Sequence, residues 1–153
     1  MKVSPPVILA STSPHRRQLL ERLQIPFSTL SPPVAETVLD GEAPPARALR
    51  LAREKAASVA TQHPQAIVIG SDQVASLPGA AGFTLLRKPG DRQTCRQQLL
   101  AMSEQTVHFD TAVAVRHGAT EVTQLVPTRV RFRNLTAAEV ERYMDREPSF
   151  DCA

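Results

Sequence analysis

The chain has 153 residues, 42% apolar and 22% charged, with 18 Lys+Arg against 15 Asp+Glu and a formal charge of +3. That length suits one domain, and that composition excludes a disordered chain. The charge excess is too small for a protein that coats nucleic acid, and 4% aromatics with no Trp argue against base-stacking platforms. Two cysteines, Cys95 and Cys152, form no CxxC pair, and His15, His63, His108 and His117 are scattered. That scatter argues against a structural zinc site, and the cysteines are expected as reduced thiols. The prolines at 5 and 6 break any signal-peptide pattern, and no apolar run approaches the roughly 20 residues of a membrane span. A cytoplasmic protein is expected.

The first element is Val7-Ile8-Leu9-Ala10, an apolar run typical of a strand buried on both faces. Ser13 is a good N-cap and Pro14 fits the first helical position, so 14–24 reads as a helix with Leu19, Leu20 and Leu23 at helical spacing. Pro26 ends it. Residues 28–42 read as a strand fragment and a loop. A longer helix is expected over 44–61, on the spacing of Leu49, Ala52, Ala56, Val59 and Ala60. Residues 66–70 then read as a second buried strand that ends on Ser71-Asp72-Gln73. Gly79-Ala80-Ala81-Gly82 looks like a hairpin tip, with 83–86 returning. A weaker helix is expected over 91–103, followed by three strand-like runs at 106–116, 121–126 and 128–133. Thr136 and Glu139 form a capping box that opens a last helix through Tyr143. The order predicts one α/β domain with a mixed sheet.

Five places could carry chemistry. The turn Ser11-Thr12-Ser13-Pro14-His15-Arg16-Arg17 joins hydroxyls, helix N-terminal N–H groups and guanidinium groups, a combination that suits an anion. It is equally the composition of an ordinary helix cap. Asp72 follows an apolar strand, where ligands of open α/β sheets collect. There it could hold Mg²⁺, activate a water, or simply form a turn. Lys55 and Lys88 could each neutralise a polyphosphate, although surface lysines are commonplace. Glu36 is an isolated loop acid that could help hold a metal. Arg129, Arg131 and Arg133 alternate with Val130 and Phe132, either as a solvated sheet face or as a basic strip for nucleic acid.

Leu9-Ala10-Ser11-Thr12-Ser13-Pro14-His15-Arg16-Arg17-Gln18-Leu19-Leu20 resembles the opening motif of the Maf-like nucleotide pyrophosphatases. Ala52-Arg53-Glu54-Lys55-Ala56, Gly70-Ser71-Asp72-Gln73-Val74 and Arg87-Lys88-Pro89 resemble that family's later motifs in order. Glu147-Pro148 with Asp151-Cys152-Ala153 resembles the start of its last one. The resemblance implies an α/β fold shared with inosine triphosphatases, with a mixed central sheet, flanking helices and a deep cleft. It implies metal-dependent cleavage of a nucleoside triphosphate to monophosphate and pyrophosphate, with Mg²⁺ or Mn²⁺ as cofactor. Asp72 falls on the proton acceptor. Ser11, Ser13, Arg16, Lys55 and Lys88 fall on substrate- and phosphate-contacting positions, and Asp72 with Glu36 on the metal side. The Ser-Asp-Gln form resembles the subgroup acting on 7-methyl-GTP, with His15 and Gln73 on specificity positions. By the same resemblance the domain is expected to run on past Ala153 and to form a homodimer. A non-catalytic phosphate- or nucleic-acid-binding module linked to septum formation is the alternative, and nucleic acid and membrane partners are not expected.

Overall fold

The computed structural model describes residues 4–148 and Phe150. Cys152 and the Asp151–Ala153 end of the last motif lie outside the described residues. The elements run β1 (Val7–Ala10), α1 (Pro14–Glu21), β2 (Ser28–Leu30), α2 (Pro44–Gln62), β3 (Ile67–Gly79), β4 (Gly82–Leu86), α3 (Arg92–Met102), β5 (Thr106–His117), β6 (Thr120–Arg131) and α4 (Ala137–Arg146). The strand order is β2-β1-β3-β5-β6, with β4 paired to β3. Parallel and antiparallel pairs coexist, as expected for a mixed sheet.

The chain divides into two compact units. The first holds the chain through Gln73 together with Thr111–Val126. In it β1 pairs in parallel with β2, from Ile8↔Ser28 to Ala10↔Leu30, and with β3, from Val7↔Ile67 to Ala10↔Gly70. The buried side of α2 is formed by Ala48, Leu51, Ala52, Lys55, Ala56 and Val59. These recur at three- and four-residue steps, so they lie on one helical face. The expected stripe was rotated from this one: Leu49 and Ala60 are only half-buried, while Ala48, Leu51 and a lysine complete the face. Gly70 shows how closely α2 lies on β3. A Cβ there would stand 2.2 Å from the Ala52 carbonyl oxygen and 2.6 Å from the Ala56 nitrogen. No real side chain tolerates such distances, so glycine is required here for space.

The second unit holds Val74–Asp110 and the chain from Pro127. In it β3 and β4 form the expected hairpin, with Gly79 opposite Gly82. Cys95, Val140 and Met144 form a small core, flanked by Leu99, Leu100, Leu135 and Phe150. The Asp91 side chain caps α3 by accepting from the Thr94 N–H at 2.8 Å. Thr136 and Glu139 form the reciprocal capping box at the start of α4.

Three expectations are corrected. Helix α1 stops at Glu21 rather than at residue 24, because the following turns close by i to i+3 bonds and Gln24 takes a positive φ of 55°. Leu19 and Leu23 are 61% and 64% exposed. The strand carrying Asp72 does not end there but continues to Gly79. The two runs at 121–126 and 128–133 are one strand, β6, with Pro127 inside it. β6 is last in the strand order, and a proline lacking an N–H is tolerated on such an edge.

Candidate active site

The candidate site lies in the first unit, at the point where β3 outruns its parallel neighbour. Pairing with β1 ends at Ala10↔Gly70, because Ser11 to Ser13 turn away into α1. Asp72 is therefore in mid-strand, yet just past the carboxyl end of β1, where ligands of such sheets collect. Strand side chains alternate faces, so Asp72 shares the face of Gly70 and looks toward α2. There Lys55 donates from Nζ to Asp72 Oδ1 at 2.6 Å, and both side chains are nearly inaccessible, at 7% and 8% exposed.

Lys55 has a second acid. Its Nζ lies 2.6 Å from Oε1 of Glu36, whose side chain is 56% exposed. Two carboxylates from distant parts of the sequence thus converge on one ammonium. Their protonation equilibria move in opposite directions. Burial pushes the Asp72 carboxyl above the ordinary aspartate range, outweighing the Lys55 hydrogen bond that opposes it. Glu36 is held below the ordinary range, first by its hydrogen bond to Lys55. The charge of Arg16 favours the ionised form of both.

The α1 cap completes the group. Ser11 is buried, and its Oγ accepts from the Ser13 N–H at 3.1 Å. Ser13 Oγ accepts from the Arg16 N–H at 3.4 Å, the N-cap bond expected from the sequence. Arg16 is half-buried and His15 exposed. Gln73, on the opposite strand face from Asp72, is exposed and donates from Nε2 to Thr111 Oγ1 at 2.8 Å. Lys88 belongs to the second unit, where it is exposed after β4. In that unit Arg129 donates to His108 Nε2 at 3.3 Å and Arg133 pairs with Glu139 at 2.9 Å, so two members of the arginine strip already have partners.

A pair of arginines that sequence reasoning passed over anchors the loop carrying Glu36. Arg47 of α2 donates to the carbonyls of Thr37 and Glu36 at 2.8 and 3.0 Å. Arg50, one turn on, donates to the Thr37 carbonyl at 3.0 Å and to Glu42 Oε2 at 2.8 Å. Surface hollows lined by Arg17, Glu21 and Phe27, or by Leu49, Arg53 and Glu121, do not include Asp72. The chemistry lies with the converging charges rather than with those hollows.

Among the described residues no group of three or more His, Cys, Asp or Glu converges as a metal cage. The donor set fits a hard cation of another kind. Asp72 and Glu36 already place carboxylate oxygens around one cationic point, and Mg²⁺ is commonly held by one or two carboxylates plus substrate phosphates and water.

The profile of the family described as Maf-like protein matches residues 6–153. The chain belongs to that family. Among Maf-like relatives, the 7-methyl-GTP pyrophosphatase of Xanthomonas oryzae pv. oryzae (strain MAFF 311018) is 55% identical over 149 residues, covering 97% of this chain and 76% of that protein. The 7-methyl-GTP pyrophosphatase of Aromatoleum aromaticum is 51% identical, covering 96% and 75% respectively. Solved structures share the fold at low identity. A Vibrio cholerae protein aligns with a TM-score of 0.50 at 13% identity over 96% of this chain and 70% of its own. The Staphylococcus aureus Ham1 protein aligns with a TM-score of 0.52 at 14% identity over 82% and 69%. The Maf-like fold expected from the motifs is therefore the fold observed. Among the described residues, no helix is long and apolar enough to cross a membrane.

Proposed function

We propose that this chain is a nucleotide pyrophosphatase that hydrolyses 7-methyl-GTP to the monophosphate and pyrophosphate in the cytoplasm. The observation that carries the proposal is the buried Lys55 held between Asp72 and Glu36. A buried carboxylate beside a cation supports reading Asp72 as proton acceptor, and the charge of Arg16, from the first turn of α1, acts on the same cluster, which supports reading that helix N-terminus as a phosphate site. The substrate assignment is supported by the relatives at 51–55% identity named for 7-methyl-GTP.

In this reaction a water oxygen bonds to the α-phosphorus as the bond to the bridging oxygen breaks, and pyrophosphate departs. Asp72 takes the proton of the attacking water. Its raised carboxyl brings its proton affinity nearer to neutrality, which favours a general base. Arg16, Lys55 and the hydroxyls of Ser11 and Ser13 balance charge on the phosphates. Gln73 and His15 contribute to base choice, Gln73 by offering both donor and acceptor atoms. Asp72 and Glu36 would hold Mg²⁺ or Mn²⁺, which would supply further neutralisation of polyphosphate charge.

The test is a nucleotide screen with pyrophosphate readout. Release from 7-methyl-GTP, lost in Asp72→Asn, is the expected result. No release from any modified or ordinary nucleotide, or an unchanged Asp72→Asn variant, would sink the proposal.

A further inference from the structure

We infer that Arg47 and Arg50 are positioning residues of the active site, which hold the Glu36 carboxylate at Lys55 by gripping the backbone of the loop that carries it. The inference rests on the proposed role of Glu36 in cation binding and adds the residues that make that role possible.

Residues 31–43 connect β2 to α2 without regular structure of their own. Loops of this length that stay ordered are commonly functional, and they need explicit anchors. Glu36 lies well inside the loop, and its own side chain is 56% exposed, so side-chain packing does not fix it. The anchor is the backbone. Arg47 sets its two terminal nitrogens on consecutive carbonyls, those of Glu36 and Thr37. A planar guanidinium suits such forked donation, whereas a lysine ammonium does not. The Arg47 side chain is only 11% exposed, so its guanidinium is held against the protein, and its bonds to the carbonyls of the exposed Glu36 and Thr37 are charge-assisted.

Arg50 adds a second point, donating to the Thr37 carbonyl and, from Nε and Nη2, to both oxygens of Glu42 at 2.5 and 2.8 Å. Glu42 is itself 11% exposed, so the later part of the loop is tied to the same two arginines. Arg47, Arg50 and Lys55 all project from α2. One helix thus carries both the cation that Glu36 meets and the clamps that deliver Glu36 to it. Each arginine acts through Glu36.

Partners that orient the ligands of a metal typically change its affinity about 10- to 100-fold when removed. The experiment measures Mn²⁺ binding directly, by titration calorimetry on the whole chain, with hydrogen exchange over residues 31–43. Arg47→Met is expected to weaken Mn²⁺ about tenfold and to raise exchange in that segment. In a Glu36→Gln background the same change is expected to add nothing. Arg47→Lys, which keeps the charge but loses the fork, is expected to behave like Arg47→Met and serves if the methionine variant folds poorly. Unchanged Mn²⁺ affinity in Arg47→Met, or an equal loss in the Glu36→Gln background, would overturn the inference and leave the arginines as loop anchors only. A wild type that binds no Mn²⁺ would instead overturn the cation role. The exchange comparison would then decide the anchor by itself, with unchanged exchange counting against it.

Discussion

Replacing Lys55 by methionine tests the site most directly, because it removes one charge and leaves most of the buried stem. Asp72, 6% exposed, then loses the cation at 2.6 Å from its Oδ1. Removing one partner of a buried pair costs about 3–5 kcal/mol, since the other charge is left uncompensated. Arg16 still acts on Asp72, and the Glu36 side of the cluster is open to water, so the lower end applies. At about 2–4 °C per kcal/mol for chains of this size, a loss of about 3 kcal/mol lowers Tm by about 6–12 °C. The pH dependence has a definite sign. The Asp72 carboxyl is already raised by burial, and losing Lys55 raises it further. A group raised in the folded state favours folding below its unfolded value, and that benefit is lost as pH rises through the folded value. The deficit of Lys55→Met should therefore be small near the ordinary aspartate value of 3.8 and widen as pH rises above it. Lys55→Met/Asp72→Asn has no buried carboxylate to strand, so it should regain most of the loss. Thermal unfolding of the wild type, both singles and the double across that pH range settles the matter. A single variant that loses less than about 1 kcal/mol, or a double that loses the sum of both singles, refutes the reasoning.

Asp72→Asn should fold and lose about 10²-fold or more of the pyrophosphate-release rate, while the wild-type kcat/KM should show an acid limb above the ordinary aspartate range. A full-rate Asn variant, or a limb at the ordinary value, would contradict the role of Asp72 as base. Gly70→Ala should cost about 1–3 kcal/mol or more, because its Cβ would meet the Ala52 carbonyl at 2.2 Å, and kcat should fall with Tm. Thr136→Ala removes the reciprocal cap of α4 and should lower Tm by about 2–4 °C, from the ~1 kcal/mol of a typical N-cap. An unchanged melting curve would show that the cap contributes nothing in solution.

Features governed by local rules were legible in the residues. The N-cap at Ser13, the capping box at Thr136 and Glu139 and the hairpin at 79–82 each follow from side chains a few positions apart. Helix α2 was legible in extent but not in orientation, because the stripe was drawn through apolar residues only. Its buried face contains Lys55, and a lysine ordinarily reads as surface. Only the small residues around it, Ala52 and Ala56, hinted that this face lies against something. Asp72 was placed past the end of its strand, with a turn as one of its readings, because an apolar run ended before it. Tertiary pairing carries the strand on through a polar stretch, since Lys55 compensates the buried charge. The arginine clamp left no sequence signal, because its acceptors are backbone carbonyls, which every residue possesses.

The close approach at Gly70 bears on how fast the site can respond. At Gly70 the backbones of α2 and β3 meet with no side chain between them, and close-packed backbones yield little, so the stems from which Lys55 and Asp72 reach each other are held at a fixed spacing. The charges are in place before any nucleotide arrives and need little reorientation while phosphate charge shifts, which is the condition under which fixed dipoles and ions lower a barrier most. The same rigidity means that a methyl group at Gly70 would act as a wedge between α2 and β3, on the whole electrostatic arrangement rather than as a local packing defect.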